Sequence, residues 1–245
     1  MGGRCRVQTR LAGVDLARNP LDRIELAPLD DHEIATASGA QLVKFFDAIQ
    51  SERLYAPIML AATAGLRRGE IAGLQWGDVG DAAVTVRRAR VTIGGEVVES
   101  EPKNTRRGSS RKIRTVPIPP ETVAALQAWR ATQLAERMSL GLGRLSDVAW
   151  VFTSEAGEAL DPNRLTKAFA RLWERFNPDG PALHFHSLRH TYVTLMLEAG
   201  EQPHIVQALA GHSTAGFTLS VYGHASPAAK AQAAQSLSKH LYGSG

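Results

Sequence analysis

At 245 residues with 44% apolar side chains, the chain is long enough to bury a sizeable core as one large domain or two small ones. A net charge of +4, from 28 basic and 24 acidic residues, is mildly basic and favours a polyanionic partner. Cys5 is the single cysteine, which excludes an internal disulfide and a cysteine-based zinc site. No apolar run reaches the roughly 20 residues of a membrane span and no secretory stretch opens the chain, so it is expected to be soluble and cytoplasmic, with no membrane partner.

Residues 1–30 carry Asn19-Pro20 and Pro28 without sustained periodicity and read as a linker, leaving 31–245 as the folded domain. From Ser38 a helical period appears, with Leu42, Phe45, Phe46 and Ile49 at i, i+3, i+4 and i+7. A second apolar run, Tyr55 to Ala64, stops at Gly65, which suits a helix C-cap. A short third helix follows through Glu70, Ile71 and Leu74. Between Val84 and Ile118 the texture changes to strands: Val84 and Val86 alternate, Gly94-Gly95 signals a hairpin, and Ile113 to Ile118 ends at Pro119-Pro120. One small antiparallel sheet of about three strands fits this window. Helices resume from Glu121 toward Met138, before a loop with Gly141 and Gly143. Asp161-Pro162 is a cap followed by proline at the first helical position, and Leu165, Phe169, Leu172, Trp173 and Phe176 form the buried stripe. A helix follows His186, and a short one from Pro203 to Ala210 is capped by Gly211. The last, Ser226 to Leu241, is rich in Ala and Gln and too weakly striped to bury itself well. The fold class expected is mostly α with a small antiparallel β-sheet.

The charge is unevenly spread. From Arg87 to Arg114 nine basic residues (Arg87, Arg88, Arg90, Lys103, Arg106, Arg107, Arg111, Lys112, Arg114) face only Glu96, Glu99 and Glu101. Of these, Arg87, Arg88, Arg106, Arg107, Arg111 and Lys112 are candidates for contact with a polyanionic partner. Elsewhere the reactive residue types fall in an ordered series. Arg67 sits in Gly65-Leu-Arg67-Arg-Gly-Glu70, Lys103 follows Pro102, His186 and Arg189 share His186-Ser-Leu-Arg189-His-Thr, and Tyr222 lies ten residues after His212. A phenol with a pKa near ~10 is a slow nucleophile at neutral pH unless cations neutralise its target and a neighbour takes its proton.

With these motifs the chain resembles the catalytic domain of the tyrosine recombinases of the phage-integrase family, from about Asn19 to the end. That family's order of Arg, Lys, His-x-x-Arg, His and Tyr is filled at every position. The resemblance implies that Arg67 and Arg189 clamp the scissile phosphate, offering planar guanidinium forks to oxygens that gain charge as phosphorus becomes pentacoordinate. Tyr222 then attacks phosphorus to give a 3′-phosphotyrosine and a free 5′-hydroxyl. His186 is implied as the base-like partner and His212 as a donor to phosphate. Lys103 is implied as the general acid for the leaving 5′-oxygen, because Pro-Lys-Asn-Thr is similar to the family's Pro-Lys-Thr; Lys112, in the same loop, is the alternative. Glu70, three residues beyond Arg67, is within reach to orient that guanidinium or cap the helix. Arg68 is expected to point elsewhere, and His190, although on the same helix face as His186, to be structural, with no metal and no cofactor required.

The implied partner is double-stranded DNA, with a homotetramer assembled on it from a protein monomeric alone. The resemblance also implies a separate N-terminal domain clamping the far side of the DNA, which a chain of this length does not hold; residues 1–30 would be its interdomain remnant, and 226–245 would dock on a neighbouring subunit. Two other readings stay open: a DNA-binding module of the same fold that does not cleave in this form, and a type IB topoisomerase-like activity.

Overall fold

The computed structural model describes residues 35–100, 113–177 and 180–211, which fall within one compact unit, Ile34–Gly245. The expectations placed on residues 1–30, on Lys103, Arg106, Arg107, Arg111 and Lys112, and on everything from His212 onward (Tyr222 and the 226–241 helix included) lie outside the described residues.

Seven α-helices, one 3-10 turn (Trp76–Asp78) and four strands occur among the described residues: α1 Gly39–Ala48, α2 Tyr55–Ala64, α3 Arg68–Ala72, β1 Ala83–Val86, β2 Ala89–Ile93, β3 Glu96–Ser100, β4 Arg114–Pro117, α4 Pro120–Ser139, α5 Pro162–Phe176, α6 Phe185–Glu198 and α7 Pro203–Ala210. Ser38 starts α1 through a reciprocal capping box: its hydroxyl accepts the Gln41 N–H at 3.2 Å while the Gln41 side chain accepts the Ser38 N–H at 2.8 Å. Asp161 caps α5 by accepting the Asn163 N–H at 2.8 Å, ahead of Pro162 at the first helical position.

The centre of the domain is α2, apolar all round and buried from Ala56 to Ala62. Such a helix has no solvent face to offer and is enclosed instead by α6, α4 and α3. Beside it Phe45 of α1 meets Trp173 and Phe169 of α5, with ring centroids 4.8 and 6.0 Å apart, and Phe169 meets Phe185 of α6 edge-on at 5.6 Å. Each of these fully buried rings contributes on the order of 1.5–3 kcal/mol. A second, smaller apolar cluster lies apart from this core: Tyr192 and Val193 of α6 with Val206 and Ala210 of α7.

The single sheet of about three strands expected between Val84 and Ile118 is instead two separate antiparallel ribbons. One pairs β1 with β4 in the register Val84↔Val116, and the other pairs β2 with β3 around the Gly94-Gly95 turn. Both glycines have positive φ (59° and 91°), as a tight two-residue hairpin turn requires. The ladder breaks between β1 and β2 at Arg87 and Arg88. Both turn toward the buried Asp78 carboxylate, Arg87 to Oδ1 at 3.0 Å and Arg88 to Oδ2 at 2.5 Å. Among the described residues no helix is long and apolar enough to cross a membrane.

Candidate active site

The site is organised by a sharp exit from α2. Gly65 ends that helix at φ +60°, and a Cβ there would lie 2.5 Å from the Tyr192 ring, so glycine is required by both backbone and space. The turn delivers Arg67 in extended conformation as the N-cap of α3, with Glu70 in its first turn. Glu70 is 1% exposed. Its Oε2 accepts the backbone N–H of Arg67 at 2.9 Å, and its Oε1 accepts Nη1 of the same residue at 3.0 Å. One carboxylate thus caps α3 and fixes the Arg67 guanidinium, both of the roles that the three-residue spacing allows.

A second arginine completes the arrangement. Arg114, the first residue of β4, grips Glu70 with both Nη atoms, at 2.9 Å to Oε1 and 2.6 Å to Oε2. This is the planar two-pronged pairing that suits guanidinium to carboxylate. Burial is the largest single influence on the Glu70 carboxyl and favours its neutral form, but the hydrogen bonds and charges of Arg114, then Arg67, outweigh it together and hold its pKa below the usual range. Glu70 is therefore a carboxylate at neutral pH. Arg67 also donates from Nη2 to the Gly211 carbonyl at 2.9 Å, and Arg114 from Nε to the Leu209 carbonyl at 3.3 Å.

Arg189, on α6, is 2% exposed. Its Nη1 donates to the Gly65 carbonyl at 2.6 Å, which ties it to the turn that carries Arg67. Its Nη2 is buried with no hydrogen-bond partner among the described residues. A buried donor on a charged group without an acceptor is costly, and an anion would remove the cost. Burial first, then the like charges of Arg67 and Arg114 against the opposing charge of Glu70, lower the Arg189 pKa to about 9, so it stays charged at neutral pH.

His186, the second residue of α6, lies one turn before Arg189 and stands edge-on to His190, ring centroids 4.9 Å apart. The surrounding protein, then His190, Arg189, Arg67 and Arg68, push the His186 pKa down to about 4. Its exposed edge leaves solvent to moderate the shift, but the cations fix its direction, and the ring is neutral at neutral pH. Burial and Arg189 likewise lower His190. An open cleft of about 1000 Å³ is lined by Arg67, Glu70, Arg90 and His186, with the β2 backbone along one side. Arg189 is buried and is not among the side chains that line it.

Of the expected residues, Arg67, Glu70, His186 and Arg189 come together. Arg68 turns away, donating to Asn163 and Thr166 of α5 at 3.2 Å each. Arg87 and Arg88, expected to face DNA, both engage Asp78; Arg87 remains exposed, while Arg88 is half-buried and also approaches Glu99 at 3.7 Å. Arg114 had no expected role beyond the basic cluster. The signal for it was parity: it is two residues before Val116, so the alternation that buries Val116 turns Arg114 inward too. Among the described residues no three His, Cys, Asp or Glu side chains gather as a metal ion would require.

The model of the phage integrase family matches residues 36–229. A tyrosine recombinase XerC-like protein of Caldanaerobacter subterraneus subsp. tengcongensis is 34% identical over 218 residues, 84% of this chain and 54% of that protein. The ICEBs1 integrase of Bacillus subtilis is 27% identical over 218 residues, 86% of this chain and 56% of its own. The chain thus spans about half the length of the curated relatives it matches. Among solved structures, the Tn1549 transposon integrase in complex with transposon right end DNA superposes with a TM-score of 0.73, covering 91% of this chain and 72% of that one at 23% identity. XerA recombinase gives 0.60 at 21% identity, over 86% and 66% of the two chains, and at these identities both likenesses speak for the fold. With a family match across most of its length, the chain belongs to the phage integrase family.

Proposed function

We propose that the chain is the catalytic domain of a site-specific DNA recombinase that cuts and rejoins duplex DNA through a 3′-phosphotyrosine on Tyr222. The observation that carries this reading is the buried, unpartnered Nη2 of Arg189 beside the Glu70-held guanidinium of Arg67, at the edge of a cleft also lined by His186. That is an anion site with the anion left to come from a substrate.

In this scheme the scissile phosphate takes hydrogen bonds from Arg67 and Arg189, and their fixed charge meets the charge that grows on the equatorial oxygens. The Tyr222 oxygen forms a bond to phosphorus while the bond to the 5′-oxygen breaks. The phenolic proton passes to His186, which is neutral beforehand and gains basicity once phosphate offsets the cations around it. Lys103 gives its proton to the departing 5′-oxygen, with Lys112 as the competing donor, and His212 donates to a phosphate oxygen. The exposed Arg87 and the basic residues of the 101–112 stretch contact flanking phosphates. A phosphodiester exchanged for a phosphotyrosyl ester keeps its bond energy, so the scheme uses no nucleotide and no metal. The assembly on DNA would be a tetramer acting in the cytoplasm.

A duplex carrying a nick just beyond the scissile phosphate traps the covalent intermediate. The expected result is a protein–DNA adduct whose mass-mapped attachment is Tyr222 and which Tyr222→Phe abolishes without unfolding the protein. An adduct on another residue, or none from a protein that binds the duplex, refutes the scheme.

A further inference from the structure

We propose that Arg114 is a positioning residue for strand cleavage, joining the Arg67 phosphate ligand to the end of α7 so that the two move as one unit. The inference rests on the reading of Arg67 given above. It starts from a geometric fact: a single side chain joins its own strand to two segments distant in sequence. Through Nη1 and Nη2 it holds Glu70 of α3, which in turn holds the backbone and guanidinium of Arg67. Through Nε it reaches the Leu209 carbonyl in the last turn of α7. Its own backbone begins β4, directly after the stretch that contains Lys103 and Lys112.

The α7 end needs such a partner. The last carbonyls of a helix have no acceptor role left within it and sit at the negative end of its dipole. Here Arg114 meets the Leu209 carbonyl and Arg67 meets the Gly211 carbonyl. Gly211 is in the left-handed region at φ +68°, and a Cβ there would lie 3.0–3.1 Å from Nε, Cζ and Nη1 of Arg114. The guanidinium is therefore packed against the very residue that precedes His212 and leads toward Tyr222. With three of its N–H directions spent on protein and the side chain 14% exposed, Arg114 acts through Arg67 and α7 rather than on phosphate itself.

Charge and shape must both be right for this. Lysine keeps the positive charge but cannot make the two-pronged bond to Glu70 and the bond to Leu209 together. Arg114→Lys is therefore the informative variant, with Arg114→Gln as a second. Displacement of a catalytic group by about 1 Å costs on the order of 100-fold in rate. At saturating DNA the covalent adduct should form about 10–100-fold more slowly in Arg114→Lys, with DNA affinity within about twofold of the parent. Adding Glu70→Gln should cost little more, because both substitutions cut one joint. Independently of cleavage, amide hydrogen exchange over residues 203–211 should rise at least about tenfold in either variant while α2 and α4 keep parental protection. Arg114→Lys cleaving at the parental rate, or losses that add fully with Glu70→Gln, overturns the proposal. So does unchanged exchange at α7, whatever the adduct assay gives. A parent that forms no adduct at all speaks instead against the recombinase reading, and the exchange measurement then still decides the role of Arg114.

Discussion

Glu70→Gln isolates how far the site depends on one buried charge. The carboxylate receives four N–H groups, two on each oxygen, from Arg67 and Arg114. A carboxamide of the same shape keeps one oxygen and presents an NH₂ where the other stood, so two bonds survive and two donors then face a donor. Bonds to charged groups are worth about 1.5–3 kcal/mol each net, and removing one partner of a buried ion pair costs about 3–5 kcal/mol. We expect the variant to lose about 3–5 kcal/mol, which at 2–4 °C per kcal/mol for a chain of this size is about 6–20 °C in melting temperature. The assay is thermal unfolding followed by circular dichroism, repeated across pH. Because folding lowers the Glu70 pKa, its stabilisation is fully present above the unfolded value of about 4.3 and is lost as pH falls through the lower folded value. The parent–variant gap should therefore be constant from neutral pH down to about pH 5 and narrow below it. A variant that melts within about 1 °C of the parent at pH 7, or a gap that widens in acid, refutes this account of Glu70.

Gly65→Ala forces a side chain into positive φ, about 1–2 kcal/mol, and drives a methyl against the Tyr192 ring. Because the Gly65 carbonyl anchors Arg189, adduct formation should fall more than about tenfold while duplex affinity holds; parental kinetics would detach that carbonyl from the mechanism. Lys103→Ala should slow cleavage about 10²–10⁴-fold on an ordinary 5′-oxygen but barely on a 5′-thiolate, which leaves without a proton. Equal losses on the two substrates remove Lys103 from the general-acid role, and a selective loss in Lys112→Ala moves the role there.

What could be read from sequence was what local spacing encodes. Ser38 and Asp161 announced their helices, Gly65 and Gly211 ended theirs at positive φ, and Leu165, Phe169 and Trp173 form the buried stripe of α5. Arg67 and Glu70 were legible together because three residues on one helical turn place them in contact. The strand region was misjudged for a reason of longer range: β1 closes with β4 across the whole intervening stretch, and no local pattern marks Arg87 and Arg88 as drawn off the ladder by Asp78. Arg114 escaped for the same reason, since its acid partner is 44 residues upstream and its carbonyl partner 95 downstream. The burial of Arg189 was equally hidden, because a guanidinium in a histidine-rich motif gives no sign of which N–H directions the fold will leave unmet.

The small apolar cluster of Tyr192, Val193, Val206 and Ala210 has a consequence for how this protein opens. Stability is a local quantity, and an element secured by few apolar contacts separates from its neighbours at a lower free energy than one set in the main core. Helix α7 can lift from α6 without disturbing Phe45, Phe169 or Trp173, so its partial opening is a separate event from unfolding of the domain. Such opening must also break the hydrogen bonds from Arg67 to the Gly211 carbonyl and from Arg114 to the Leu209 carbonyl. The end of α7 is thus fastened by two guanidinium groups where its apolar contacts are few, and what loosens the one must first disengage the other.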